Sequence, residues 1–483
     1  MFQCVELLAV LVNLRSIFTP RNGIAVLAST DTMNQTEKRH AVSLASIFGL
    51  RMLGLFLIMP VLAIFGQNYP DYSPMLVGIA IGAYGLTQAF LQIPMGMLSD
   101  RIGRKPVIVA GLLLFTIGSV VAAAAPTLGW VIVGRVLQGA GAIAGAILAL
   151  AADVARPEQR PKVMATIGMG IGLSFVVALV AAPVLAEYIG ISGIFWVTAI
   201  LSALAALFVV QFIQAPQQAA GSREVIAVPD EMKQLLKNTQ LLRLQSGVGV
   251  LHLVLTAWFV SFPINLIEAG LNASWHGLAY LVTVLVSFAV MIPFMLWVIR
   301  RQKTVLGIRV GALFLLIGFA VIASFSQQLP ALMLGVTLFF VGFNYLEATL
   351  PAQLSQHAPA GSKGSASGIY TTFQFFGAFL GGTLGGAISA WGGHNAVMIF
   401  CIVLLLCWLL VTTGMKAEKP TTRVTLSLPE MSGQQANLMA EQLTQLQGVE
   451  EASVVHTEQT AYLKVDPKLY KPEAVKTLLS GVQ

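Results

Sequence analysis

Four ionisable side chains, Arg51, Arg135, His252 and Glu347, stand in long stretches that are otherwise almost wholly apolar. An imidazole titrates near neutral pH, so a His and a Glu in such surroundings can share and exchange a proton. The rival reading is a bridge that simply holds two helices together. Guanidinium groups stay charged, so Arg51 and Arg135 each need an acceptor or an anionic cargo. A central Arg or Asp facing lipid costs about 2.5–3.5 kcal/mol on insertion scales, which favours a polar cavity as the home of all four. Gln88, Gln92, Gln138, Asn265, Asn344, Tyr345, Tyr370 and Gln374 are candidate polar groups for that cavity. Some of them must instead be ordinary interhelical hydrogen bonds.

A second constellation is Gly96-Met-Leu-Ser-Asp100-Arg101-Ile-Gly103-Arg104-Lys105-Pro106, where one acid, three bases and two glycines fall together at the end of an apolar run. Gly103 permits a tight turn, and Gly96 is expected to allow close helix approach. No nucleophile constellation, phosphate-binding loop or metal ligand set is present. Cys4, Cys401 and Cys407 form neither a disulfide framework nor a metal spacing with His. Neither an enzyme nor a cofactor or metal is expected.

The elements that must position these groups are membrane helices. Of 483 residues 56% are hydrophobic and only 10% charged, and the mean hydropathy is +0.80, which a water-facing surface cannot accommodate. Spans are expected near 41–65, 75–98, 106–125, 129–151, 163–187, 191–213, 244–268, 275–299, 305–325, 330–352, 365–389 and 394–415. Lys and Arg gather in every second connection, at Lys38 and Arg39, Arg101 to Lys105, Arg156 to Lys162, Arg223 to Arg243, Arg300 to Lys303, Lys363, and Lys416 with Lys419. The alternate loops carry none, which puts both termini on the cytoplasmic side. The net charge of +7 is thus a topology signal and no nucleic-acid footprint.

The domains expected are an N-terminal tail over 1–40, with Met33 a candidate true start and the preceding residues disordered; six-helix bundles over 41–213 and 244–415; a linker over 214–243; a short linker over 416–422; and a small soluble domain over 423–483. Pro60 matches Pro263 near the end of the first span of each half, and Gly78 to Pro94 matches Gly277 to Pro293 in spacing. Two parallel six-helix repeats are a transporter architecture with the cargo site between them. In the longer linker, Asp230 is expected to cap a short amphipathic helix lying on the inner leaflet. Asp153 is assigned to the loop network with Arg156 and Arg160. The tail reads βαββα, a ferredoxin-like half-sandwich without one edge strand. Its first loop, Pro429 to Gln434, lacks soft metal ligands.

The Gly-x-x-x-Asp-Arg-x-Gly-Arg-Lys loop resembles the signature of the major facilitator superfamily, and it sits in the second-to-third helix connection of a twelve-helix chain. The resemblance implies the major facilitator fold and a conformational latch formed by Gly96, Asp100, Arg101, Gly103, Arg104 and Lys105, with Asp100 near the N-terminus of the eleventh helix. The second-half counterpart, Pro293 to Lys303, keeps bases but not the acid or glycines. Gly134-Arg135-Val-Leu-Gln138-Gly139 is similar to the family motif whose arginine is implicated in proton coupling. Gly168 to Pro183 resembles the fifth-helix motif of drug and proton antiporters, with Ala182-Pro183 in place of Gly-Pro. The resemblance implies a proton-coupled inner-membrane transporter working by alternating access, and the four intramembrane ionisable groups, Glu347, His252, Arg135 and Arg51, are the proton-coupling candidates. Efflux of small amphipathic compounds is preferred. Sugar or metabolite uniport or symport, and a transporter-like sensor, stand as alternatives. Partners expected are a small-molecule substrate, protons and the lipid bilayer, and no nucleic acid; self-association or a regulatory contact through 423–483 is left open.

Overall fold

The computed structural model describes residues 33–156, 159–213, 228–417 and 421–480. The expectations for residues 1–32 and for the first part of the linker lie outside these. Helix α1, Gln35–Phe56, begins in a capping box in which Asn34 Oδ1 accepts from the Glu37 N–H and the Glu37 carboxylate accepts from the Asn34 N–H. It breaks at Leu57 and Ile58 and resumes as α2, Met59–Phe65, with Pro60 in the first turn, where the missing N–H costs nothing. Then come α3 Pro74–Ile102, α4 Arg104–Ala123, α5 Leu128–Ala140, α6 Ala144–Val154 and α7 Arg160–Phe212. After the linker lie α8 Pro229–Leu235, α9 Thr239–Phe259, α10 Phe262–Glu268, α11 His276–Arg301, α12 Thr304–Ser324, α13 Leu329–His357 and α14 Lys363–Thr412. The break between α9 and α10, with Pro263 in the first turn of α10, repeats the break between α1 and α2.

Among the described residues ten helical segments are long and apolar enough to cross a membrane. Helices α7 and α14, of 53 and 50 residues, would each be about 75–80 Å long if straight, well beyond a bilayer core of about 30 Å. Each leaves helical geometry at one glycine, Gly190 with φ 66° and Gly393 with φ 69°. Each also returns to the face it left. The end of α7 is held there by Lys105 Nζ donating to the Val210 carbonyl, and the end of α14 by Arg309 and Arg243 donating to the carbonyls of Thr412 and Gly414. Twelve crossings result, as the hydropathy pattern requires. Arg309, inside the expected ninth span, drew no attention in the sequence; its role is to cap a helix C-terminus.

The two halves touch most closely at the end of α3 that carries Gly78. A Cβ on Gly78 would lie 2.1 Å from the Gly382 carbonyl oxygen, one on Gly82 2.7 Å from that of Phe379, and one on Gly277 2.4 Å from that of Val180. At the other end, the basic face, α3 and α14 diverge around a cleft lined by Gln92, Gly96, Asp100, Arg104, Gly364 and Ser367, among others.

The fourth span, expected over 129–151, runs over Leu128–Val154. It is interrupted between α5 and α6 at Gly141, because Gly141 presses against α4, where an added Cβ would lie 2.3 Å from the Gly111 carbonyl oxygen. One expectation is corrected. In the linker, Val228 occupies the N-cap position of α8 and Asp230 falls in its first turn. That helix is no simple leaflet rider: Leu235 is buried in the main core, Met232 packs against it, and Glu231 accepts a hydrogen bond from Ser365 at 2.9 Å.

The tail is β1 Thr422–Ser427, α15 Gly433–Thr444, β2 Val449–Val455, β3 Thr460–Val465 and α16 Pro472–Ser480. The antiparallel sheet has the order β1-β3-β2, the ferredoxin-like arrangement without its fourth strand. Leu428, Met439, Leu443, Leu463 and Val475 form its core. The sheet docks on the connection between α13 and α14. Arg423 donates to the carbonyls of Ser355 at 2.7 Å, Ala358 at 2.6 Å and Pro359 at 3.3 Å, while Tyr462 and Val455 bury Ala360.

Candidate functional site

The signature loop is built around a single left-handed glycine. Gly103, at φ 98°, ends α3 and starts α4, a conformation that a side chain would strain. The turn brings Arg104, only 4% exposed, against three oxygens. It forms an ion pair with Asp100 and donates to Ser99 Oγ at 2.8 Å and to Asp153 Oδ2 at 3.1 Å. Asp153 therefore serves this loop first, with Arg160 still a favourable charge near it as expected, while Arg156 is taken by Glu37, Nε to Oε1 at 2.9 Å. Lys105 holds Val210, and Arg101 is exposed. Asp100 and the first turn of α14 line one cleft, with Asp100 bonded to its own loop. A Cβ on Gly96 would meet nothing within 4 Å, because its side-chain direction faces the cleft, while its Cα lies 3.4 Å from where a Cβ on Gly145 of α6 would stand.

The two buried arginines take their partners from the N-terminal half, although Arg51 Nε and Nη1 have none among the described residues. The broken helix leaves the Gly141 carbonyl without its usual donor, and Arg51 Nη2 supplies one at 2.9 Å while also donating to Gln88 Oε1 at 2.8 Å. Gln88 in turn donates to Gln92, which reaches the cleft. Arg135 donates to the Ala80 carbonyl at 3.1 Å and to Gln138 Oε1 at 2.9 Å, and Gln138 donates to Ser119 Oγ. Both guanidiniums sit over the Tyr84 ring, at 5.6 and 5.2 Å from its centroid. Such cation–π contacts stabilise desolvated cations by about 2 kcal/mol or more. The sequence reading missed Tyr84 and Ser119, and it did not pair Asp153 with Arg104.

The acid and the imidazole come together in the C-terminal half. His252 on α9 presents Nδ1 to the Val248 carbonyl at 3.2 Å, one turn back. With the proton on Nδ1, Nε2 accepts from Gln374 Nε2 of α14 at 2.9 Å. The same amide nitrogen reaches Glu347 Oε1 of α13 at 3.4 Å. Glu347 Oε2 is 3.8 Å from His252 Nε2 and has no hydrogen-bond partner among the described residues. A proton arriving on His252 Nε2 would thus face a carboxylate. The group opens toward the other half through rings that the sequence reading did not single out: Phe343 lies 5.9 Å from His252, and Phe175 of α7 contacts Phe343, Phe340 and Phe56. The spacing Phe339-Phe340-x-x-Phe343 on one helix face was the available signal.

The remaining candidates scatter. Tyr370 is buried, its hydroxyl without a partner among the described residues. Asn344 donates to Ser287 Oγ at 3.1 Å, an ordinary interhelical bond between α13 and α11. Tyr345 packs on Gly307 and Gly311 of α12 and on Phe294. Asn265 is buried on α10.

The fold and the loop together invite comparison with known proteins. The Major Facilitator Superfamily profile matches residues 44–382. The chain belongs to this superfamily. Superfamily membership makes it a multi-pass secondary transporter and not an enzyme. It is 38% identical over 444 residues to the inner membrane transport protein YajR of Escherichia coli, covering 90% of this chain and 96% of that one. It is 26% identical over 345 residues to the multidrug resistance protein MdtH of Aeromonas hydrophila, covering 70% and 83%. A bacterial homologue of the human lysosomal transporter Spinster, solved inward-facing and occupied, superposes with a TM-score of 0.65 at 14% identity, over 79% of this chain and 97% of that one. At that identity the likeness speaks for the fold alone.

Proposed function

We propose that the protein is a proton-coupled exporter of small amphipathic compounds that works by alternating access, in an inner membrane with both termini cytoplasmic. The observation that carries this reading is the cluster of His252, Gln374 and Glu347, a titratable pair joined by one amide and facing the other half across aromatic rings. When Glu347 is ionised and His252 neutral, the amide bridges them. Protonation of either changes which group donates, and so changes what α9, α13 and α14 hold in common. The aromatic wall suits an apolar cargo body, and Glu347 suits a cationic or donor group on it.

Residues 41–213 and 244–415 are read as the moving halves. The Asp100–Arg104–Asp153 group is read as a latch, released from α14 in the arrangement seen. The docked tail is read as a regulatory contact. The printed name of MdtH, a multidrug resistance protein, supports export of drug-like compounds, and that of YajR supports the inner membrane.

Proteoliposomes carrying an imposed proton gradient test this with ethidium as probe. Wild type should move ethidium against its gradient, and Glu347→Gln should lose the coupling while still binding the dye. Full gradient-driven transport by Glu347→Gln would defeat the assignment. Binding without flux in wild type would favour a sensor.

A further inference from the structure

The groove that concerns us lies outside the transport path, where the start of α1 meets the end of α7 at the basic face. It has a volume of about 420 Å³ and is lined by Gln35, Thr36, Arg39, His40, Ser43 and Gln211, with Phe208, Phe212 and Ile213 as an apolar wall. Both helices end a membrane crossing here, so the groove sits at the depth of lipid headgroups. We propose that it binds an anionic glycerophospholipid, the phosphate on Arg39 and His40 and an acyl chain along Phe208 and Phe212.

Charge argues for the phosphate. Among the described residues no carboxylate lines the groove. The nearest acid in sequence, Glu37, is buried and committed to Arg156. Arg39 is exposed and has no ion pair or hydrogen bond among the described residues, and His40 Nδ1 is buried without a partner. The end of α7, whose free carbonyls would repel an anion, is neutralised by Lys105 Nζ on the Val210 carbonyl. A basic site at a membrane surface attracts anionic lipid. The hydroxyls and amides of Thr36, Ser43, Gln35 and Gln211 suit the glycerol and ester oxygens.

The wall argues for lipid over a soluble phosphate. Phe208 and Phe212 lie one turn apart with ring centroids 5.1 Å apart, and Phe212 is 54% exposed. Val42, one turn along α1, is 58% exposed. A free phosphate would use the polar end of the groove and leave these side chains uncovered. A lipid covers both, and it would join the first and sixth crossings, which no loop connects.

The test uses the full chain in detergent, with thermal unfolding and native mass spectrometry as readouts. The probes are dioleoyl phosphatidylglycerol, dioleoyl phosphatidylcholine and glycerol 3-phosphate. Phosphatidylglycerol should be retained and should raise the unfolding midpoint of wild type, and the other two should do neither. Arg39→Gln should weaken phosphatidylglycerol binding tenfold or more, and Phe212→Ser should weaken it while leaving its dependence on salt intact. Equal binding by wild type and both variants would overturn the site. An equal effect of glycerol 3-phosphate would overturn the lipid assignment and leave a soluble-phosphate site. The midpoints of both variants in phosphatidylcholine should match wild type, which separates loss of binding from loss of fold.

Discussion

Replacing Gly78 by Ala should push the transporter out of the arrangement described above and into the one with its faces reversed. The added Cβ would lie 2.1 Å from the Gly382 carbonyl oxygen and 2.9 Å from Gly386 Cα, against backbone that has no rotamer to yield. Relief requires α3 and α14 to part at this end. Overpacking of this kind costs about 1–3 kcal/mol. The cost falls only on the state in which the two helices touch, whereas the better helix propensity of Ala is common to both states and cancels. The balance should therefore shift about five- to 150-fold. Spin-label distances can read it in a cysteine-free background, with one pair at each face, Asn68 with Asn395 and Lys162 with Arg300, all exposed. In Gly78→Ala the first distance should lengthen and the second shorten. Gly172→Ala, whose Cβ meets nothing within 4 Å, is the control and should change neither. If Gly78→Ala leaves both distributions as in wild type, the glycine contact does not decide which face is shut.

Asp100→Asn removes the charge that Arg104 shares with Asp153; it should alter the same distance distributions while changing ethidium affinity less than twofold, which equilibrium binding would check. Arg423→Gln takes away a charge-assisted group whose hydrogen bonds contribute about 1.5–3 kcal/mol; amide exchange in residues 358–362 should rise tenfold or more with the tail still folded. At the face opposite the basic one, Asp71 is desolvated, yet the N–H groups of Leu128 and Gly129 that it accepts hold its carboxyl below the usual range. A depressed carboxylate contributes stability in full above its ordinary value of 3.8 and loses it as pH falls through the lower folded value. Asp71→Ala should thus unfold more readily than wild type at neutral pH, and the gap should close under strong acid in a thermal melt.

The crossings were legible because a bilayer permits few solutions: apolar length gives the helices, and Lys and Arg mark alternate loops. The paired Pro60 and Pro263 signalled a repeat, and both break their helices at the same place. The signature loop announced itself, but Asp153, which completes its charge balance, lies forty-nine positions from Arg104 and has no local pattern. The Gly141 break was hidden for a similar reason, since it arises from contact with Gly111 on another helix and not from its neighbours in sequence. His252 and Glu347 were visible as lone titratable groups in apolar runs. Gln374 looked like any of eight polar candidates, and only the packing of α14 against α9 made it the amide between them. Tyr345 shows the reverse, a polar residue whose ring is used as a spacer against glycines.

Only residues 413–421 separate the end of α14 from β1. A tether that short keeps the sheet near its dock at an effective concentration on the order of millimolar. A clasp too weak to survive between separate molecules is therefore closed most of the time in the intact chain. Purified tail added from outside would compete poorly with its attached twin. Cutting the tether would open the clasp more completely than any single substitution within it, which makes proteolysis after Met415 the sharpest tool for asking what the tail restrains.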